Sequence, residues 1–241
     1  MDTRTQQLAD VILCIFETSS KLPKYSTVAT LNDGPGGVKQ ITWGYHQGTD
    51  ASNTVDEILE AFVDIPSNDA DVLDAQKWAL RVLPEFRSNT PATMRRLAGD
   101  NKVKVMLGVI GAMPEGQQAQ RLVFRKKYMQ PAIDACVGSG WVEPLSMVAV
   151  LDGMTHGSWG RIRDLVSPKL SERHWIESYL LKRNKWLRLH PTQVLRNTAC
   201  RSGALLRLVD EGNWGLTTPF MINMEPRRGK FTITEADLRV F

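Results

Sequence analysis

Six residues, Asn32-Asp33-Gly34-Pro35-Gly36-Gly37, interrupt a chain whose apolar residues otherwise recur at helical spacing. Three glycines and a proline this close together exclude a helix and mark a turn, because glycine supplies positive φ and proline withholds an N–H. On the N-terminal side, Tyr25 to Leu31 is rich in Thr and Val, a composition that suits a strand. On the C-terminal side, Val38 to Tyr45 alternates, with Ile41 and Trp43 on one side and Gln40, Thr42 and Gly44 on the other. The pattern predicts a small antiparallel hairpin with polar side chains at its turn.

The rest reads as helix. Leu8, Val11, Ile12, Ile15 and Phe16 form an i, i+3, i+4, i+7, i+8 stripe that Asp2 or Thr3 caps; it runs out at Glu17-Thr18-Ser19-Ser20, before Pro23. Val55, Ile58, Leu59, Phe62 and Val63 predict the next helix, and Ala70 to Val82 another. A third starts at Thr90-Pro91 and runs towards Ile110. Gln117 to Val137 follows, crossed by Pro131, and then Leu145 to Thr155, so uniformly apolar that it must be buried. Glu172 to Leu189 and Thr192 to Asp210 complete the series, leaving a loop-like tail with a short strand at Phe231 to Ile233. The expected fold is mainly α (α+β): one domain spanning 1–241, made of two helical lobes, with the hairpin lining the gap and the first helix in the same lobe as the hairpin.

Composition narrows the function classes. With 42% hydrophobic and 23% charged residues over 241 positions, the chain is neither disordered nor fibrous. Cys14, Cys136 and Cys200 are odd in number and far apart, which argues for free buried thiols rather than a disulfide framework. His46, His156, His174 and His190 are scattered, so no metal site and no cofactor are expected. The apolar run Val11 to Phe16 lacks a basic leader and a cleavage site, and no run reaches membrane-spanning length. Synthesis in the cytoplasm is expected, with release or action outside the cell by another route, such as a phage or prophage would use. The net charge of +4 and the clusters Arg125-Lys126-Lys127 and Lys182-Arg183-Lys185-Arg188 read as solvated helix faces. No nucleic-acid motif accompanies them, and a monomer with neither a nucleic-acid nor a membrane partner is expected.

Two carboxylates stand out. Glu17 ends an apolar stripe, where burial favours the protonated form that can donate to a leaving oxygen. Asp33 sits in the glycine-rich turn. Two carboxyls facing one another across a cleft are the usual equipment for glycoside hydrolysis. Thr42, on the return strand, offers a hydroxyl to hold an attacking water. No Gly-x-Ser-x-Gly surrounds any serine, and Gly34-Pro35-Gly36-Gly37 leads into neither a Lys-Ser/Thr pair nor a helix, so neither a serine hydrolase nor a phosphate loop is indicated. For Trp43, Trp141, Trp159 and Trp175, core packing is the default reading, with stacking on sugar rings the alternative.

Glu17, Tyr25, Asp33-Gly34, Gly44 and Gly48-Thr49-Asp50, in that order, resemble the N-terminal signature of glycoside hydrolase family 46, the chitosanases. Downstream, Tyr128-Met129-Gln130-Pro131-Ala132, Leu151-Asp152 with His156-Gly157, the Trp175–Tyr179–Arg183–Trp186-Leu187 series, and Arg196 with Arg201 resemble later segments of that family, so the similarity runs collinearly over roughly residues 8 to 210. The resemblance implies a two-lobed, lysozyme-like fold. It also implies Glu17 as general acid, Asp33 as general base, and inversion at the anomeric carbon. Asp50 stands where the family recognises a sugar amine, and Asp152, Arg196 and Arg201, with His156 at the helix end, stand where it carries a buried charge network. Gln40-Ile41-Thr42-Trp43-Gly44-Tyr45-His46 also resembles a stretch of phage lysozymes whose Thr lies near the catalytic water. Tyr25, Gln40, Tyr45 and Asp50 are therefore the expected sugar contacts. Some positions depart from the family. Pro35 stands in place of an Arg, Val38 in place of a Thr whose role Thr42 takes over, and the Asp152–His156 spacing is one residue tighter.

The leading expectation is an endo-acting enzyme on a β-1,4-linked amino-sugar polymer, chitosan. A peptidoglycan hydrolase of endolysin type, with the same acid and base, is the main rival. A non-catalytic glycan- or nucleic-acid-binding protein on the same scaffold is the third reading.

Overall fold

The computed structural model describes residues 1–240, which divide into two compact units. One comprises residues 1–22 together with the chain from Tyr128 onward; the other is Pro23–Lys127.

In the first unit, helix α1 (Thr3–Thr18) is capped by Asp2, whose side chain accepts from the Thr5 amide at 2.8 Å. It is more than an amphipathic stripe. Leu13 and Cys14 are buried as fully as Leu8, Val11, Ile12, Ile15 and Phe16. Its first half keeps Arg4, Gln6, Gln7 and Asp10 partly exposed, whereas from Val11 to Phe16 it is buried on every side, as only a core segment is. Its chief neighbour is α8 (Pro144–Thr155), which is itself buried from Leu145 through Gly153. This corrects the expected grouping of the first helix with the hairpin, because the partner that matches its apolar surface lies more than a hundred residues downstream. The second unit ends with α6 (Pro114–Phe124), and the chain passes through a π-helical turn at Arg125–Met129, which widens the helix just before Pro131, a residue with no N–H to give, into α7 (Gln130–Gly138) of the first unit.

α9 (Trp159–Arg163), which no sequence signal marked, follows α8. Helix α10 (Glu172–Arg188) packs on α12 (Ala199–Asp210), and the short α11 (Gln193–Asn197) precedes α12, so the expected single last helix is divided near Thr198. The tail forms a hairpin. Phe220–Asn223 pairs antiparallel with Lys230–Ile233, Phe220 opposite Ile233, so the expected strand has a partner in a segment whose sequence is loop-like.

In the second unit, β1 (Val28–Leu31) and β2 (Gln40–Trp43) form the expected hairpin, with Leu31 opposite Gln40 and Val28 opposite Trp43. A two-residue strand β3 (Gly48–Thr49) adds to β2 and places Thr49 opposite Thr42. Ile41 and Trp43 join the core built on α2 (Thr54–Asp64) and α3 (Ala70–Ser88), beside Val55, Leu59, Phe62 and Phe86. The helix expected from Thr90 to Ile110 is two helices, α4 (Pro91–Gly99) and α5 (Asn101–Ala112). Asp100 breaks it, because its carboxylate accepts from the Lys102 amide at 2.8 Å and caps α5. At Gly111, a β-carbon would collide with the backbone of Tyr25 and Ser26; the glycine lets α5 lie against the segment that leads into β1.

Candidate active site

The first unit holds Glu17. α1 ends there, and Ser19 closes it in the left-handed conformation (φ 51°), its amide donating to the Ile15 carbonyl at 3.0 Å. Arg228 donates to the Phe16 carbonyl, one of the acceptors a helix end leaves open. Arg201, from α12, reaches Glu17 Oε1 with Nη1 at 2.6 Å. With Nε, at 2.7 Å, and with Nη2 it holds Asp152 Oδ1, and Arg183 grips the other oxygen, Asp152 Oδ2. Arg183 Nε also donates to Ser158 Oγ at 2.8 Å. Asp152 and Arg183 are completely buried. Burial opposes ionisation of Asp152, but the Arg183 and Arg201 guanidinia outweigh it and hold the carboxyl below its ordinary value. Burial likewise disfavours the charge on Arg201, and Asp152 with Glu17 overcomes it and pushes the guanidinium up. Arg201 thus links the buried Asp152 to Glu17, and Asp152 is held between two guanidinia.

His156 follows at the end of α8, its Nε2 2.8 Å from Thr198 Oγ1. Burial first, then the repulsion of Arg201 and Arg183, push its pKa down to about 3, so the ring is neutral at ordinary pH. Trp141, Trp159, Trp175 and Tyr179 form an aromatic wall beside this network, with centroids 4.7 to 5.7 Å apart; they are packing residues. A β-carbon at Gly153 would strike Tyr179 Oη, so glycine is needed next to Asp152.

Two expectations for this unit are corrected. Arg196 is not in the network; its guanidinium donates to the His190 carbonyl at 2.6 Å and the Pro191 carbonyl at 2.7 Å, closing the loop before α11. The second arginine is Arg183, which by sequence alone belongs to a solvated basic face. Its position carries a usable signal, since Ile176, Tyr179, Leu180, Arg183 and Leu187 share the buried side of α10. A cation in such a stripe demands a buried anion.

The second unit holds Asp33, exposed at the head of the turn. Gly36 and Gly37 take φ of 67° and 76°, values that favour glycine, and the Gly34 amide donates to the Val38 carbonyl at 3.0 Å. Gln40 Nε2 donates to Asp33 Oδ1 at 2.8 Å, and Gln40 Oε1 accepts from the Ala51 amide at 3.3 Å. Gln40, expected as a sugar contact, is buried with its amide occupied at both ends, so it ties the Asp33 turn to the loop after β3 instead.

Asp50 lies in that loop, only 2% exposed. Its Oδ1 accepts from the Ala51 amide at 2.9 Å, while Oδ2 is buried without a protein partner among the described residues. Burial, with the Asp33 charge adding to it, pushes the Asp50 carboxyl up to about 6. Thr42 is buried on the same side of β2 as Gln40, and its hydroxyl has no protein partner among the described residues.

Tyr25 and Tyr45, expected on the sugar, lie in the interior. Their rings pack 4.8 Å apart, Arg121 Nη1 donates to Tyr25 Oη at 3.1 Å, and Gln120 clamps their backbones, donating to the Tyr25 carbonyl at 3.0 Å and accepting from the Tyr45 amide at 3.3 Å. Alternation along a strand separates two faces but does not tell which of them meets solvent, and here every residue of β2 is buried. Among the described residues, no group of His, Cys, Asp and Glu is arranged to hold a metal ion.

The architecture defines a class, the mainly helical fold seen in solved chitosanases. A chitosanase from Bacillus subtilis MY002 superposes with a TM-score of 0.81 at 21% identity, over 97% of this chain and all of that one. A glycoside hydrolase family 46 chitosanase from Gynuella sunshinyii, in complex with chitotetraose, gives 0.79 at 20% identity, over 97% of this chain and 98% of that one. A mutant of the Bacillus enzyme complexed with 6 GlcN gives 0.81 at 20% identity over the same span as the native enzyme. No protein-family model matches the chain, and no curated protein matches it in sequence. At this level of identity the likeness is one of fold.

Proposed function

We propose that the protein is an endo-acting glycoside hydrolase that cuts β-1,4-linked chitosan with inversion, Glu17 acting as acid and Asp33 as base. In this reaction a water oxygen bonds to the anomeric carbon as the glycosidic C–O bond breaks. Glu17 gives its proton to the departing sugar oxygen, and Asp33 takes one from the water. The observation that carries the reading is the ion pair of Glu17 with Arg201, itself anchored on the buried Asp152. A buried charge network contributes little net stability, so one that grips a helix-end glutamate is better explained by the placement it gives that carboxyl.

Asp33 fits the role of base. It is exposed, Gln40 takes one of its oxygens, and the other takes no hydrogen bond from the described residues. Thr42 offers a hydroxyl with its bonding capacity unspent, as a water-holding group requires. Chitosan is favoured over peptidoglycan because relatives in fold carry chitotetraose or 6 GlcN.

The test is reducing-end release from chitosan, run beside clearing of purified cell wall, for the wild type, Glu17→Gln and Asp33→Asn. Each substitution is expected to lower chitosan turnover by a factor of 10² or more, on the order of a lost acid or base, with thermal melting intact. Full activity in either variant would falsify the assignment. Cell-wall clearing without chitosan cleavage would move the substrate to peptidoglycan.

A further inference from the structure

Beside its buried stripe, α10 carries a second one. Lys182, Lys185, Trp186 and Leu189 stand at i, i+3, i+4 and i+7 and share a side of the helix. With Leu165 and His190 they line a groove of about 360 Å³. The Arg161 guanidinium lies over the Trp186 ring, 5.8 Å from its centre. Among the described residues, no carboxylate pairs with Arg161, Lys182 or Lys185.

A solvated basic face accounts for such cations but not for their neighbours. Leu189 is 73% exposed and Leu165 60%, and both line the groove. Exposed leucines scattered singly mean little, but here they stand together, rimmed by cations and flanking a half-buried indole. We infer that this face docks onto an anionic lipid bilayer. The unpaired cations are drawn to acidic headgroups, Trp186 has the amphipathic ring that settles at headgroup depth, and the protruding leucines gain by entering the acyl boundary. A polyanion without apolar groups, such as a nucleic acid or polyphosphate, satisfies the charges and leaves the leucines in water. The inference is independent of the glycosidase reading, because none of these residues belongs to the Glu17 or Asp33 environment.

The experiment is co-sedimentation of the full chain with phosphatidylcholine vesicles, with and without phosphatidylglycerol, in low and high salt. Binding is expected only with phosphatidylglycerol, weakening as salt rises. Lys182→Glu/Lys185→Glu should weaken it ~20-fold or more, at about 5-fold for each cation lost near an anionic surface. Leu165→Ser/Leu189→Ser should weaken it ~10-fold or more by removing the apolar contact. All four positions are exposed, so circular dichroism melts of both variants should match the wild type. Failure to bind the anionic vesicles, or equal binding to both kinds, overturns the inference. So does binding that the leucine variant leaves unchanged, which would mark a surface for soluble polyanions.

Discussion

Arg201 divides itself between two carboxylates: Nη1 lies 2.6 Å from Glu17 Oε1, while Nε lies 2.7 Å from Asp152 Oδ1. The division joins three helices. Glu17 lies in the last turn of α1, Asp152 in the last turn of α8, and Arg201 in the first turn of α12. A guanidinium can do this because its donors form a rigid planar fork. The position of Glu17 is therefore set by where α8 and α12 stand as much as by its own helix.

Asp152→Asn should be among the most damaging single changes in the chain. It leaves Arg183 and Arg201 facing each other without the anion that neutralises them, and unpairing a buried charge costs about 3–5 kcal/mol. Arg201→Lys should be milder in stability but severe in turnover, since one ammonium cannot span Glu17 and Asp152 together. Urea-induced unfolding checks the first, where a loss under about 1 kcal/mol would mean the network is hydrated or rearranged. Chitosan turnover by folded Arg201→Lys checks the second; activity equal to wild type would show that Glu17 needs no second anchor.

Gln40→Leu removes the hydrogen bond to Asp33 and the tie to Ala51 while keeping side-chain bulk. On the proposed assignment of Asp33 as base, with Gln40 positioning it, the expected result is a kcat lower by about 10-fold or more at nearly unchanged KM, because the lost interaction acts on the reacting geometry rather than on sugar affinity. The opposite split, a raised KM at unchanged kcat, would make Gln40 the sugar contact that the sequence alone suggests.

These residues also show how far the sequence could be read. The Asp33 turn was legible because glycine and proline act locally, and the strands on either side of it follow from the Thr- and Val-rich and alternating flanks. Helix boundaries with local causes were partly legible. The break at Asp100 has a plain signal in Gly99-Asp100, overridden in the reading by the long apolar period around it. What stayed hidden depends on partners distant in sequence. The place of α1 beside α8 needs knowledge of which apolar surfaces match, and Arg183 reads as a surface cation until Asp152 is known to lie against it. Tyr25 and Tyr45 follow the same logic, since aromatic residues near a predicted site are as suited to closing a core as to stacking on a sugar.

Gly111→Ala puts two effects in opposition. Alanine is the better helix former by about 1 kcal/mol. Its β-carbon, however, would run into the Tyr25 carbonyl and the Ser26 backbone, which cannot swing aside as a flexible side chain can. The clash should win and destabilise the protein by about 1–3 kcal/mol, the usual range for overpacking. A melting temperature equal to or above wild type would show that α5 and the segment before β1 separate without cost.

Asp50 gives a pH dependence whose sign follows from its raised carboxyl. The folded form releases its proton near pH 6, against an ordinary value of 3.8. Between those values the native protein holds a proton that the unfolded chain has lost, so this group's contribution falls as pH rises from about 4 to 6 and is level above that. Asp50→Asn cannot titrate, and it keeps an oxygen for the Ala51 amide. Its amide nitrogen can be less well accommodated than Oδ2, which shifts its stability by a constant amount at every pH. The informative quantity is therefore the stability of Asp50→Asn minus that of wild type, measured by denaturant unfolding at several pH values. That difference should move in favour of the variant by about 1–2 kcal/mol between pH 4 and pH 7, a full conversion of the shift being reduced for solvent screening near the exposed Asp33. Groups common to both proteins, His156 among them, cancel. A difference flat across this range would mean that Asp50 ionises as easily in the folded protein as in the unfolded chain.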